Sequence, residues 1–241
     1  MGRTLVIGDI HGGLRALRQL IDRASVSSGD TLVFLGDYVD SWSESPQVLD
    51  FLIYLDTKYT CIFMRGNHDD LLLEWLCGKD NDLWFQHGGE STIIAYSKLT
   101  DEDRDRHVAF LSQLRTFYID DENRLFVHAG FTNQHGIEKE YFPRMVFWDR
   151  TLWEMALAMD RNLKEGDENY PRRLTHYKEI YIGHTPTTKS NQTTPLNIAN
   201  IWNIDTGAAF YGPLTCIDAD SKEFWQSDPL PELCPEERGR N

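Results

Sequence analysis

The sequence predicts an α/β fold that begins with a parallel βαβαβ unit. Short apolar runs at residues 4–7, 31–35 and 61–64 have the length and composition of strands. Between them, apolar residues recur at helical spacing over 14–24, and a Ser-Pro pair opens a second helix over 45–58. Helical crossovers return the chain to the same end of a sheet, so we expect the three strands to be parallel.

The rest of the chain predicts further helices and strands within one domain, residues 1–227. We expect helices at 71–77, 90–97 and 100–114, and one within 145–159. The expected strands are 116–119, 125–128, 180–182, 198–204 and 214–217. From Asp228 onwards, three prolines and several charges predict a flexible tail, 228–241.

Composition narrows the class of protein. The formal net charge is -14 at pH 7, which disfavours a nucleic-acid binder. No apolar run is long enough for a transmembrane helix and the first residues show no secretory signal, so we expect a cytoplasmic protein without membrane contact. The four cysteines form no closely spaced pair, which favours reduced thiols.

Glycines and residues of metal-ligand type stand where the predicted strands end. The five segments are Gly8-Asp9-Ile10-His11-Gly12, Gly36-Asp37-Tyr38-Val39-Asp40, Gly66-Asn67-His68-Asp69, His128-Ala129-Gly130 and Gly183-His184-Thr185. The carboxyl ends of parallel strands meet at one edge of a sheet, where open α/β sheets place their ligands. Residues that are distant in sequence are therefore expected to converge there.

These residue types predict two divalent metal ions that share one carboxylate. The expected ligands of the first ion are Asp9, His11 and Asp37. Asp37 also bridges to the second ion, whose other expected ligands are Asn67, His128 and His184. Carboxylate, amide and imidazole donors without thiolate suit manganese, with iron or zinc as alternatives.

Two such ions would act on a phosphate ester. They would clamp the phosphoryl oxygens and lower the pKa of a bridging water, and the resulting hydroxide would attack phosphorus in line. Because His68 directly follows a ligand, we predict that it is the general acid for the leaving group, with Asp40 as its orienting partner. The predicted activity is therefore that of a metal-dependent phosphatase.

Together the five segments resemble the motifs GDxHG, GDxxDRG, GNH(D/E), HAG and GHT of the phosphoprotein phosphatase family of calcineurin-like metallophosphoesterases. The likeness is to the bacterial and phage branch, which includes lambda phosphatase, and it extends from Gly8 to about Thr185. It implies a four-layer β-sandwich of mixed sheets flanked by helices. It also implies the same metal ligands and acid–base pair, with Asn67 and His68 in contact with the substrate phosphate.

Two later segments extend the resemblance. Trp148-Asp149-Arg150 is similar to a segment of this branch whose arginine binds phosphate, which makes Arg150 a candidate phosphate ligand. Residues 203–215 resemble the closing hairpin of these proteins, so that Phe210 and Tyr211 would overhang the cleft.

One departure from the family pattern concerns phosphate binding. The motif GDxxDRG has an arginine after its second aspartate, and this chain has Ser41 there. We expect weaker phosphate binding or an altered substrate. The arginines considered as substitutes are Arg65, Arg144, Arg172 and Arg173.

The substrate is left open by the sequence. A phosphorylated protein with phosphoserine or phosphothreonine is the leading expectation, and a small phosphoester is an alternative. The resemblance equally allows a symmetrical dinucleoside tetraphosphatase, and a third alternative is an inactive metal-binding scaffold. We expect a monomer. Outside the five segments, His87, His107, His135 and His176 are expected to be structural or surface residues.

Overall fold

The computed structural model describes residues 2–240, which contain ten strands. In chain order the strands are β1 (Thr4–Ile7), β2 (Thr31–Phe34), β3 (Thr60–Phe63), β4 (Phe117–Ile119), β5 (Arg124–Val127), β6 (Glu179–Ile182), β7 (Leu196–Ile198), β8 (Ile201–Asn203), β9 (Thr215–Asp218) and β10 (Phe224–Gln226). They form two five-stranded sheets, with the orders β10-β9-β1-β2-β3 and β4-β5-β6-β8-β7.

Both sheets are mixed. The strands β1, β2 and β3 are parallel, with Thr4 opposite Thr31 and Thr31 opposite Thr60, as the βαβαβ pattern predicts. The strands β5, β6 and β8 are also parallel to one another. The remaining strands pair antiparallel at the sides of these parallel groups. The predicted fold class, a pair of mixed sheets flanked by helices, is confirmed.

The α-helices lie mainly in the first half of the chain. In order they are α1 (Leu14–Arg23), α2 (Ser45–Asp56), α3 (Asn67–Leu76), α4 (Asp82–Trp84), α5 (Glu90–Tyr96), α6 (Asp101–Ser112), α7 (Thr151–Ala158) and α8 (Leu230–Leu233). Among residues 2–240, none of these helices combines the length and the hydrophobicity that crossing a membrane requires.

Successive side chains of a strand point to opposite faces of its sheet and so pack into different cores. Leu5 and Ile7 of β1 belong to a core shared with α1 and α2, whereas Val6 lies in the core between the sheets with Phe126 and Tyr181. Strands that are buried on both faces need apolar residues at every position, which explains the continuous apolar runs in the sequence. The packing places the carboxyl ends of β1, β2, β3, β5 and β6 around one site.

Two predicted elements in the second half of the chain take a different form, and β10 was not predicted. The helix expected within 145–159 is divided into a 3-10 segment, Pro143–Phe147, and α7. Asp149 stands between them, and its carboxylate accepts hydrogen bonds from the amides of Thr151 and Leu152 at the start of α7. The single strand expected at 198–204 is a hairpin of β7 and β8 that turns at Ala199, whose φ is 51°.

The segment 228–240, expected to be a flexible tail, is folded in this structure. Leu230 of α8 is fully buried and Cys234 is nearly so, both in the core beside α1. Glu237 then accepts hydrogen bonds from the backbone amide and hydroxyl of Ser43. The apolar contacts and these hydrogen bonds fix the segment against the rest of the chain. It therefore ends beside the loops after β1 and β2.

Candidate metal centre and active site

The predicted metal ligands converge, although they come from five strand ends. Asp37 lies at the centre, where its Oδ2 is 3.6 Å from His11 Nε2 and 3.3 Å from His128 Nε2. His11, Asp37 and His68 form one cluster able to hold an ion, and Asp37, His128 and His184 form another. A carboxylate shared by two neighbouring clusters is the arrangement that a bridged metal pair requires.

Asn67 and Asp9 complete the set. Asn67 Oδ1 lies 3.2 Å from His128 Nε2 and 2.9 Å from His184 Nδ1, at the second cluster. Asp9 Oδ2 accepts a hydrogen bond from the backbone amide of His184 and lies 3.9 Å from His11 Nε2. Asp9 Oδ1 is buried without a hydrogen-bond partner among the described residues, and so is His184 Nε2. Orphaned buried polar atoms of this kind fit ligands for a bound cation.

The imidazoles of the two clusters are suited to bind metal in their neutral form. His11 Nδ1 lies 3.1 Å from the carbonyl of Val39, and His128 Nδ1 lies 2.9 Å from that of Leu35. When Nδ1–H donates to a carbonyl, the Nε2 lone pair remains free for coordination. Burial lowers the pKa of His11 to about 3 and the pKa of His184 well below its ordinary value.

Buried negative charge also favours cations at this site. Burial raises the pKa of Asp9, and the neighbouring Asp205 and Asp37 raise it further. Burial likewise raises the pKa of Asp205 to about 6. Divalent ions would compensate the repulsion among these carboxylates. The donor set therefore fits a pair of divalent metal ions.

The backbone around the ligands is strained and held in place. His11, Asp37 and His184 have φ values of 51°, 53° and 65°, in the left-handed region, which costs on the order of 1–3 kcal/mol per residue. Asp69 offsets this at Asp37, because its carboxylate accepts hydrogen bonds from the amides of Asp37, Tyr38 and Gly66. It also joins the strand-end loops of β2 and β3.

His68 and Asp40 form a buried pair beside the first cluster. His68 Nδ1 lies 2.5 Å from Asp40 Oδ2, and Asp40 is fully buried. Asp40 also accepts hydrogen bonds of 2.6 Å from Trp84 Nε1 and from the Thr92 hydroxyl. Burial lowers the pKa of His68, but the carboxylates of Asp37 and Asp40 outweigh it, so the pKa is raised. His68 is thus oriented by Asp40 with its Nε2 directed away from this partner.

A cavity of about 530 Å³ opens onto these residues. Its walls carry four basic side chains, Arg144, Arg150, Lys189 and Arg240. Arg150 Nη1 donates to the Thr185 hydroxyl at 3.2 Å, which places the predicted phosphate ligand next to His184. Such a concentration of positive charge in a protein of net charge -14 points to an anionic ligand.

Some predicted or considered residues lie elsewhere. Arg65, considered from the sequence only as a substitute for the missing arginine, is outside the cavity lining and interacts with Asp70 and with the Leu111 carbonyl. Tyr211 is exposed and outside the lining, whereas its neighbour Phe210 lines the cavity. Arg173 is buried against the Phe131 carbonyl.

The structure adds residues that the sequence did not assign to the site. Trp84, His87, Asp205 and Arg240 all line the cavity. His87 had a local signal, since it precedes two glycines, and Asp205 lies within residues 203–215, which resemble the closing hairpin of the family. Arg240 lies in the segment that composition predicted to be flexible.

A family model described as calcineurin-like phosphoesterase matches residues 2–211. The chain belongs to this family. Relatives of this phosphoesterase include the asymmetrical bis(5'-nucleosyl)-tetraphosphatase PrpE of Bacillus anthracis, which is 28% identical over 233 residues with 88% of each chain covered. The same protein of Geobacillus thermodenitrificans is 27% identical over 232 residues, again with 88% of each chain covered.

Solved structures extend the likeness of the fold. A protein serine/threonine phosphatase from Saccharomyces cerevisiae matches with a TM-score of 0.60 and 14% identity, over 95% of this phosphoesterase and 83% of that chain. At this identity the match concerns the fold alone. Because the curated relatives are tetraphosphatases, the narrower likeness to lambda phosphatase stays a prediction.

Proposed function

We propose that this phosphoesterase is a two-metal hydrolase of dinucleoside tetraphosphates, which it cleaves asymmetrically. The observation that carries the proposal is the basic wall of the cavity, which faces the shared-carboxylate cluster. The curated relatives supply the substrate class, since they are named for this reaction. The symmetrical cleavage considered from the sequence is the less supported form.

The metal ions would be held by the clusters around Asp37. Asp9 and His11 would complete one site with Asp37, and Asn67, His128 and His184 the other. When bound, two divalent ions supply Lewis acidity for phosphate oxygens and lower the pKa of a bound water. We propose manganese as the native metal, because hard oxygen and imidazole donors suit it.

The cations of the cavity suit a substrate with several phosphates. Arg150 reaches the edge of the second cluster through Thr185, and Lys189 and Arg240 line the same cavity. A single phosphoryl group would be neutralised by the metal ions and one arginine. A chain of four phosphates extends beyond the metal centre, where further cations would stabilise it.

A second candidate, hydrolysis of phosphoserine or phosphothreonine, is favoured by one specific observation. The His68–Asp40 pair is built to deliver a proton, and an alkoxide leaving group needs one. A nucleotide that leaves from an anhydride is a far weaker base, because its phosphate has a pKa of about 6. The acid–base pair therefore supports an additional phosphomonoesterase activity.

Turnover of two substrates by the manganese-loaded protein tests the proposal. We expect kcat/KM for diadenosine tetraphosphate to exceed that for a phosphoserine peptide, with ATP and AMP as products by anion-exchange chromatography. Two molecules of ADP would establish symmetrical cleavage instead. Preference for the peptide would favour the protein phosphatase. No turnover of either substrate with two ions bound would favour the inactive scaffold.

The replacement Asp40→Asn tests the acid–base pair separately from the metal centre. An amide of the same size can still accept from Trp84 or Thr92 but loses the charge that orients and stabilises protonated His68. We expect kcat on the phosphoserine peptide to fall about 10–100-fold, with manganese content unchanged. Loss of manganese from Asp40→Asn by elemental analysis would contradict this role.

A further inference from the structure

The segment after α8 brings an arginine to the reacting end of the cavity. We propose that Arg240 is a substrate-binding residue, which contacts the phosphate group beside His68 and takes the place left by Ser41. The assignment rests on the proposed hydrolysis of a phosphate compound, whichever leaving group that compound carries.

The position of the guanidinium makes this contact possible. Arg240 Nη1 lies 3.2 Å from His68 Nε2, the ring nitrogen that does not face Asp40. Arg240 Nη2 lies 3.4 Å from His87 Nδ1. A phosphate whose leaving oxygen reaches His68 Nε2 therefore comes within hydrogen-bond distance of this guanidinium.

The charge of the Arg240 guanidinium is not paired with a carboxylate in the part of the chain that the structure describes. Among residues 2–240, no carboxylate oxygen lies within 4.0 Å of its guanidinium, which instead contacts two imidazoles and packs 5.4 Å from the ring centroid of Phe210. Arg144 shows the contrast within the same cavity, because it is paired with Asp70 at 2.6 Å and with Glu74 at 3.1 Å. A cation without an acidic partner in a ligand cavity is suited to a negatively charged substrate.

The chain holds Arg240 in place. Its backbone amide donates to the Ala209 carbonyl at 3.0 Å. Gly239 packs against the Trp42 ring, and a Cβ there would lie 2.7 Å from Trp42 Cζ2. Glu237 is bound by Ser43, two residues beyond Ser41 in the loop after β2. This anchoring reduces the entropy that binding would otherwise cost.

Arg240 and Ser41, the residue that departs from the family motif, both border Gly88. A Cβ placed on Gly88 would be 3.2 Å from both Arg240 Cγ and Ser41 Oγ, so the two side chains border the same point. The Ser41 hydroxyl is buried without a hydrogen-bond partner among the described residues. The small side chain of Ser41 and the stem of Arg240 therefore both approach Gly88.

Binding of inorganic phosphate to the manganese-loaded protein tests the assignment by isothermal titration calorimetry. For Arg240→Ala we expect the dissociation constant to rise about tenfold or more, the size expected for a charge-assisted hydrogen bond, and Arg240→Lys should recover part of it. Arg161→Ala removes an exposed arginine from a separate cavity and should bind phosphate as the wild-type protein does. KM for diadenosine tetraphosphate should rise in Arg240→Ala with kcat less affected.

A further variant distinguishes direct phosphate binding by Arg240 from anchoring of its segment by Glu237. Glu237→Gln weakens the anchor at Ser43 and should raise the dissociation constant by less than Arg240→Ala, with unchanged manganese content. A dissociation constant for Arg240→Ala within twofold of wild type would overturn the assignment, as would a wild-type protein that binds no phosphate. If the wild-type protein binds phosphate but hydrolyses no dinucleoside tetraphosphate, the proposed function fails while the assignment of Arg240 is retained.

Discussion

Replacing Asp37 with asparagine is expected to remove at least one metal ion and to reduce kcat/KM by about 10³-fold or more. Asp37 Oδ2 lies within 3.6 Å of imidazole nitrogens in both clusters, so a single carboxylate serves two ion sites. An amide carries no charge to balance two divalent cations and offers only one oxygen. The loss should exceed the 10²–10³-fold typical of removing one electrostatic contact from an active site.

Manganese content and steady-state kinetics on diadenosine tetraphosphate measure this effect together. Burial alone would raise the pKa of Asp37, but His128 and His68 outweigh it and hold the pKa well below its ordinary value, which favours the charged carboxylate. Asp121→Asn is a matched control, since the same change falls on an exposed turn. Two ions per chain with nearly full activity in Asp37→Asn would show that the clusters do not share this ligand.

The convergence of the candidate metal ligands could be predicted because their position at strand ends follows from local sequence. Each ligand stands within a few residues of a short apolar strand, and parallel pairing brings such ends together whatever the rest of the chain does. The wrong strand at 198–204 has an equally local cause. Periodicity does not reveal a two-residue turn between Ile198 and Ile201 that lacks glycine or proline, with Ala199 in the left-handed region.

The surroundings of Asp40 could not be predicted in this way. Its hydrogen bonds come from Trp84 and Thr92, which are 44 and 52 residues away and lie in a region without a strand to set their register. The position of Arg240 depends on contacts of greater range still. Prolines and charges around it predict disorder, and the apolar contacts that fold the segment come from a few scattered residues, Leu230, Leu233 and Cys234. Candidate metal ligands at strand ends were thus easier to infer than the residues that surround them.

Replacing His68 with asparagine is expected to affect ester and anhydride substrates very differently. Without the imidazole, an alkoxide must leave unprotonated, so kcat on a phosphoserine peptide should fall about 10²–10⁴-fold. A nucleotide leaves from diadenosine tetraphosphate as a weak base, and kcat there should fall much less. Quench-flow measurement of both reactions, with manganese content determined on the same samples, checks the difference.

The same variant also decides between two roles for His68. Its ring is grouped with His11 and Asp37 in a cluster able to hold an ion, so geometry alone permits ligation. Its Nδ1 is engaged by Asp40, however, and its Nε2 opens to the cavity beside Arg240, so a phosphate oxygen placed between them would accept from the guanidinium and from protonated His68. A proton donor can be removed without losing metal, whereas a ligand cannot. Equal losses on both substrates, together with a missing ion, would make His68 a ligand and leave the ester reaction without its acid.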